Sequence, residues 1–152
     1  MMNELATNVA KSEYEYLVWY SNLDRSDRDT RMVSIRIGNL SKIFKVIKGE
    51  KIGDVSKSGV IETIIKLLES EKEYTTEYAK EYAKKRRERG NMNAAAMQSE
   101  QENAQQFIEN ETELCAVLYQ YAMGMNPGEK ETKTIETLAY AVLEQLEKIN
   151  SL

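Results

Sequence analysis

The sequence predicts a mainly helical protein with one short strand, and three observations lead there. Apolar side chains recur at three- and four-residue spacings over most of the chain, the period of a helix with one buried face. Only seven glycines and one proline occur among 152 residues, and they leave two long stretches uninterrupted, 60–89 and 91–123. The exception is "RMVSIRIG", Arg31 to Gly38, where Val33, Ile35 and Ile37 alternate with Met32, Ser34 and Arg36. That is the two-residue period of a strand with one wet face. A lone strand cannot satisfy its own backbone N–H and C=O groups, so it needs a partner.

Residues 3–22 read as a first helix, with Leu5, Val9, Leu17 and Val18 apolar beside Tyr14, Tyr16, Trp19 and Tyr20. "SNLDRSDRDT" is a polar break rich in turn and capping residues. After the strand, Asn39 can cap a helix carrying Leu40, Ile43, Phe44 and Ile47, which stops near Gly49. "GEKIGDVSKSG" is a turn leading into a helix capped by Ser56, with Val55 placed to staple against Val60. Val60, Ile61, Ile64, Ile65, Leu67 and Leu68 give that helix its apolar face, and it runs about thirty residues towards Gly90. A second long helix covers 94–123, "GMNPGE" turns the chain, and a last helix spans 132–149. The last is apolar at Ile135, Leu138, Tyr140, Ala141, Val142, Leu143, Leu146 and Ile149.

Composition narrows the chemistry. There is no histidine, which removes the commonest general base, the commonest metal ligand and every His-dependent triad. The acids lie mostly at helical spacings beside Lys and Arg, as solvated helix faces do. No glycine loop of phosphate-cradling spacing is present. A non-enzymatic protein without cofactor or metal is expected. The single Cys115 suits a reducing compartment. No apolar run nears the roughly 18 residues of a membrane span, and no leader pattern opens the chain, so a soluble, cytoplasmic protein is expected. The formal net charge of −4 is unevenly spread. Residues 25–57 hold nine basic side chains against four acids, a balance of +5, and residues 91–152 hold ten acids against three lysines, −7. Two surfaces with different partners follow from that split.

Taken together, "RMVSIRIGNLSKIFKVIKGEKIGDVSKSGVIETIIKLL", residues 31–68, runs strand, short helix, turn, longer helix. This order resembles the ribbon–helix–helix superfamily of the Arc and Met repressors. The resemblance implies that the strand pairs with its copy in a second chain, as an intermolecular two-stranded ribbon that enters the DNA major groove. It implies base contacts from Met32, Ser34 and Arg36, of which Arg36 can pair bidentately with guanine. It implies phosphate contacts from Arg31, Ser56, Lys57 and Ser58, and the orphan N–H donors at a helix start support the Ser-Lys-Ser stretch as an anion site. Departures are the Gly38-Asn39 start of the first helix, the long "GEKIGD" turn and Gly59 in the first turn of the second helix.

An all-helical bundle is the alternative. Residues 27–48 would then be one basic amphipathic helix with Arg31, Ser34, Gly38, Ser41, Lys42, Lys45 and Lys48 along a polar stripe. Beyond the resemblance, Tyr74, Tyr78 and Tyr82 form a seam expected to pack against 94–97 and Phe107–Ile108. Lys84, Lys85, Arg86, Arg87 and Arg89 form a basic tip, either a solvated hairpin end or a second phosphate contact. Leu114, Val117, Leu118 and Tyr121 make a further seam, with Cys115 as a small core residue within it.

Three units are expected: an N-terminal helix over 1–24, a DNA-binding dimer unit over 30–70, and a long-helix module over 71–152 for oligomerisation or a protein partner. The functional expectation is a homo-oligomeric DNA-binding protein, dimer or tetramer, acting as a transcriptional repressor or a plasmid transfer or segregation factor. The alternative is an all-helical interaction protein, such as a small subunit of a larger assembly or a phage-encoded inhibitor.

Overall fold

The computed structural model describes residues 2–23, 30–46, 51–52, 55–88 and 93–152. Five helices dominate: α1 (Met2–Ser21), α2 (Thr30–Val46), α3 (Lys57–Arg87), α4 (Ala94–Gly124) and α5 (Glu129–Asn150). Between α2 and α3, β1 (Lys51–Ile52) pairs antiparallel with β2 (Val55–Ser56), in the register Lys51 with Ser56 and Ile52 with Val55. α5 lies along both α3 and α4, while α1 and α2 form a hairpin whose second arm packs on α4. α1 also touches the start of α3 and the small ladder.

α3 starts where its chemistry says it should. Ser56 is extended, and its Oγ accepts the Gly59 N–H at 3.1 Å, satisfying one orphan donor of the first turn. Val55 and Val60 flank that cap and are both buried, as a hydrophobic staple requires. Val60, Ile64, Leu67 and Leu68 then meet α5 and α4 in the core. Asn93 caps α4 in the same way, its Oδ1 accepting the Ala96 N–H at 2.8 Å. The α4–α5 turn holds Asn126 at φ 53°, a left-handed conformation that asparagine tolerates better than most residues.

The Tyr74–Tyr78 part of the α3 seam meets Phe107, as expected. The Tyr78 ring lies 3.9 Å from Phe107, nearly parallel at 9°, and Tyr74 meets the same ring at 5.4 Å. Those contacts fix the antiparallel register of α3 and α4. Leu114, Leu118, Ala122, Ile135, Val142 and Leu146 fill the space between α4 and α5. Cys115 is buried among them and donates to the Ala139 carbonyl oxygen at 3.5 Å. Glu71 and Glu111 are also buried, on α3 and α4.

The strand expected over Met32–Ile37 is helix: all of "RMVSIRIG" lies in α2, in line with the all-helical alternative. The reason is the longer pattern. Val33, Ile37, Leu40 and Phe44 sit at i, i+4, i+7 and i+11, and all four are buried. Two-residue alternation spans only three side chains, and its middle one, Ile35, is 57% exposed. Gly38-Asn39 is therefore no break, and Asn39 caps nothing, because α2 runs straight through it. Gly38 has a packing role instead. A Cβ there would stand 3.1 Å from the Tyr121 hydroxyl, so the missing side chain lets α4 approach α2. The expected polar stripe also differs, since Gly38 and Ser41 turn inward while Lys42 is exposed. On α5, Tyr140 (72% exposed) and Leu143 point away from the core, leaving Ile135, Leu138, Val142, Leu146 and Ile149 inside.

Candidate functional site

Arg36 is the groove reader expected from sequence, and its position in α2 turns it towards α1. Its Nη1 donates to Glu13 Oε1 at 2.7 Å, and its guanidinium lies 4.6 Å above the Tyr16 ring. Glu13 is itself buried, and its other oxygen accepts no hydrogen bond among the described residues. A charge-assisted bond to a buried carboxylate and a cation–π contact hold Arg36 in place together. Arg31, Met32 and Ser34 belong to α2, but their side chains lie outside the described ones.

Lys57 and Ser58 open the first turn of α3, and Ser56, the last residue of β2, is its N-cap. Ser56 is engaged in the cap, and Ser58 Oγ lies 3.2 Å from Ser56 Oγ. Lys57 Nζ stands 5.9 Å over the Phe44 ring. A cleft of about 370 Å³ joins Lys57 and Ser58 to the α4–α5 turn, but Glu62 and Glu131 also line it. Two carboxylates beside a helix N-terminus weaken its field for a phosphate. Arg36 leans on α1, so the structure does not bring it into that cleft.

At the other end of α3, Lys84, Lys85 and Arg87 are exposed, whereas Arg86 is half-buried. Arg86 Nη1 donates to the Tyr82 hydroxyl at 3.2 Å, and its guanidinium lies 5.5 Å over the Tyr82 ring. Arg89 lies outside the described residues.

A surface not anticipated from the sequence runs along α1. Leu5, Val9, Ser12, Tyr16 and Trp19 follow spacings of 4, 3, 4 and 3, which places them on one edge. Leu5 is 67% exposed and Trp19 56%, with Val9 also exposed and Tyr16 half-buried. Tyr16 and Trp19 are in contact, ring centroids 5.4 Å apart. Ala10, Glu13, Leu17 and Tyr20 take the buried side of the same helix. The signal was present in the sequence as the heptad spacing, hidden because α1 is apolar on two adjoining faces.

Cys115 is poorly placed for chemistry. Burial, with the nearby Glu71 charge second, pushes its thiol up to about 11. Tyr78 is likewise raised, first by burial and then by Tyr74, Tyr82 and Glu100. Among the described residues no three Cys, Asp or Glu side chains gather where they could hold a metal ion. No described helix is long and apolar enough to cross a membrane. Comparison with family models, with curated proteins and with solved structures finds no match.

Proposed function

We propose that this chain is a non-enzymatic helical interaction protein that receives a partner helix along the outer edge of α1. One observation carries the reading: a heptad-spaced edge with an exposed Trp and two exposed aliphatic side chains. Heptad spacing suits a second helix as occupant, since side chains 3.5 residues apart on average form a seam for knobs-into-holes packing. Trp and Tyr dominate binding energy at interfaces, and a side chain like Leu5 gains about 1.5–3 kcal/mol when covered. The Arg36–Glu13 and Arg36–Tyr16 contacts brace the edge from α2, so the surface is preorganised.

Trp19 is the only tryptophan, so its emission reports this edge alone. Docking should shift that emission to the blue and shield it from quenchers. A benzophenone amino acid at Val9 should give one discrete cross-linked species in cells, self or heterologous, which disappears with Leu5→Glu. The same probe at the exposed Glu73 of α3 should give none. Equal labelling from both positions would sink the proposal.

DNA binding is the second reading, and the exposed Lys84, Lys85 and Arg87 at one end of the molecule favour it. Such contacts would be to phosphates, sequence-independent and steeply salt-dependent. The paired-ribbon form asks more. Two copies would have to open α2 over Met32–Ile37, drawing Val33 and Ile37 from the core at about 1.5–3 kcal/mol each. Titration of specific and random duplexes across a salt series separates the forms, because only a ribbon would discriminate between them.

A further inference from the structure

The outer face of the α1–α2 hairpin is wider than the α1 edge alone. Arg36 reaches Glu13 and Tyr16, so the apolar edge of α1 lies on the side that adjoins α2. Ile35, next to Arg36, is exposed, while Val33, Ile37, Leu40 and Phe44 take the opposite side of α2 into the core. Leu5, Val9, Trp19 and Ile35 therefore form one apolar field across both helices, with the half-buried Tyr16 and Arg36 at its centre.

Area and charge together select what covers that field. The 20 residues of α1 extend about 30 Å, and two adjacent helices are about 20 Å wide. A face of that footprint approaches the roughly 800 Å² per partner of a stable dimer, whereas the α1 edge by itself offers about half. Charge divides between the two helices. α1 carries Glu4, Glu13 and Glu15 against one lysine, and α2 carries four basic residues and no acid. Glu13 is taken by Arg36, but Glu4 and Glu15 are exposed, as is Lys42 on α2. A hairpin with one acidic and one basic helix is complementary to a turned copy of itself. A two-fold axis parallel to the helices lays α1 of each copy antiparallel on α2 of the other, and opposite charges meet. An axis across the helices lays α1 on α1 and α2 on α2, and like charges meet.

We propose, building on the docking role of the α1 edge, that its occupant is α2 of a second copy of this chain. The two hairpins pack face to face as an intermolecular four-helix bundle with antiparallel neighbours. Ile35 of each copy then covers Tyr16 and Trp19 of the other. Arg36 is level with Glu13 and Tyr16, so Lys42, six residues on, is level with Asn8. Each Lys42 therefore stands over Asn8 of the other copy.

Sedimentation equilibrium of the full chain should show a dimer at about 50 μM, where interfaces of this area associate. Ile35→Glu changes α2 and leaves the α1 edge unaltered. Because it occurs twice, it should weaken the dimer at least about tenfold. Its helical circular dichroism should match the parent, since the exposed Ile35 fills no cavity. A short bismaleimide should join Asn8→Cys chains to Lys42→Cys chains only when the two are mixed, and the buried Cys115 does not compete. A monomer at that concentration overturns the self-association. The Val9 probe capturing a different protein would then leave docking on α1 intact, and capturing nothing would remove both. A dimer indifferent to Ile35→Glu, or one cross-linked equally well through Asn8→Cys alone, overturns the hairpin-to-hairpin arrangement.

Discussion

On the α3–α4–α5 side, Ile64, Leu68, Leu118 and Val142 are wholly enclosed, and aromatic rings lock the α3–α4 register. On α1, Leu5, Val9 and Trp19 face outward, and the contact to α2 includes a buried acid answered by one arginine. Both sides are helical, amphipathic and aromatic-rich. They differ in where the apolar residues go. Three mutually packed helices can close a core on themselves, whereas a two-helix hairpin lying on such a bundle has only one face to bury. Its other edge stays exposed, which is why the proposed interaction is assigned to the hairpin side and stability to the bundle.

The strongest challenge to that division is Leu118→Ala. Truncating a fully enclosed leucine should lower unfolding free energy by about 2–5 kcal/mol in chemical denaturation. A loss below about 1 kcal/mol would mean that the bundle is not the stable half. Next comes Arg36→Ala, which leaves Glu13 buried without its donor. Removing one partner of such a pair should cost about 1–3 kcal/mol. Adding Glu13→Leu should recover much of it, since replacing both partners by apolar groups is often close to neutral. A double-mutant cycle with no coupling would show that the hairpin holds without the pair.

Ser56→Ala tests the junction between the two sides and should cost about 1 kcal/mol, the usual worth of an N-cap. Cys115 offers a pH probe of the bundle. Its folded pKa is raised, so its contribution to stability is complete below the unfolded value. It is lost as pH climbs from about 9 to about 11. Unfolding midpoints measured over that range should fall less in Cys115→Ala than in the parent chain. Leu5→Ala should have the smallest effect, within about 0.5 kcal/mol on folding, because an exposed side chain leaves no cavity. Its effect should fall on cross-linking from position 9 instead. A folding loss comparable to that of Leu118→Ala would erase the distinction between the two sides.

Much of this was legible from single residues. Ser56 sits at a helix start with a side-chain oxygen, and it does cap. Tyr74, Tyr78 and Phe107 are spaced to meet, and they do, Tyr78 stacked on Phe107 and Tyr74 tilted against it. Gly38 misled because a glycine in a helix costs about 1 kcal/mol against alanine, so it reads as a stop. What offsets that cost is the Tyr121 hydroxyl, 83 positions along the chain, which no local window contains. Arg36 misled similarly: its charge and spacing suit a groove, but its partner, Glu13, lies in another helix.

By itself the sequence determined the long helices, the Ser56 cap, the turn at Asn126–Gly128 and the absence of histidine chemistry, since each rests on composition or on neighbours within a few residues. Whether Arg31–Gly38 is strand or helix was beyond it. Val33, Ile35 and Ile37 fit a two-residue period, and Val33, Ile37, Leu40 and Phe44 fit a helical one. The choice between them depends on which face finds a cover. Only the tertiary structure supplied α1 and α4 as that cover, burying Val33 and Ile37 and leaving Ile35 outside. The same packing decided which apolar residues of α1 remained exposed. Burial is a property of the assembled surface, so no local pattern can fix it when two faces of a helix are both apolar.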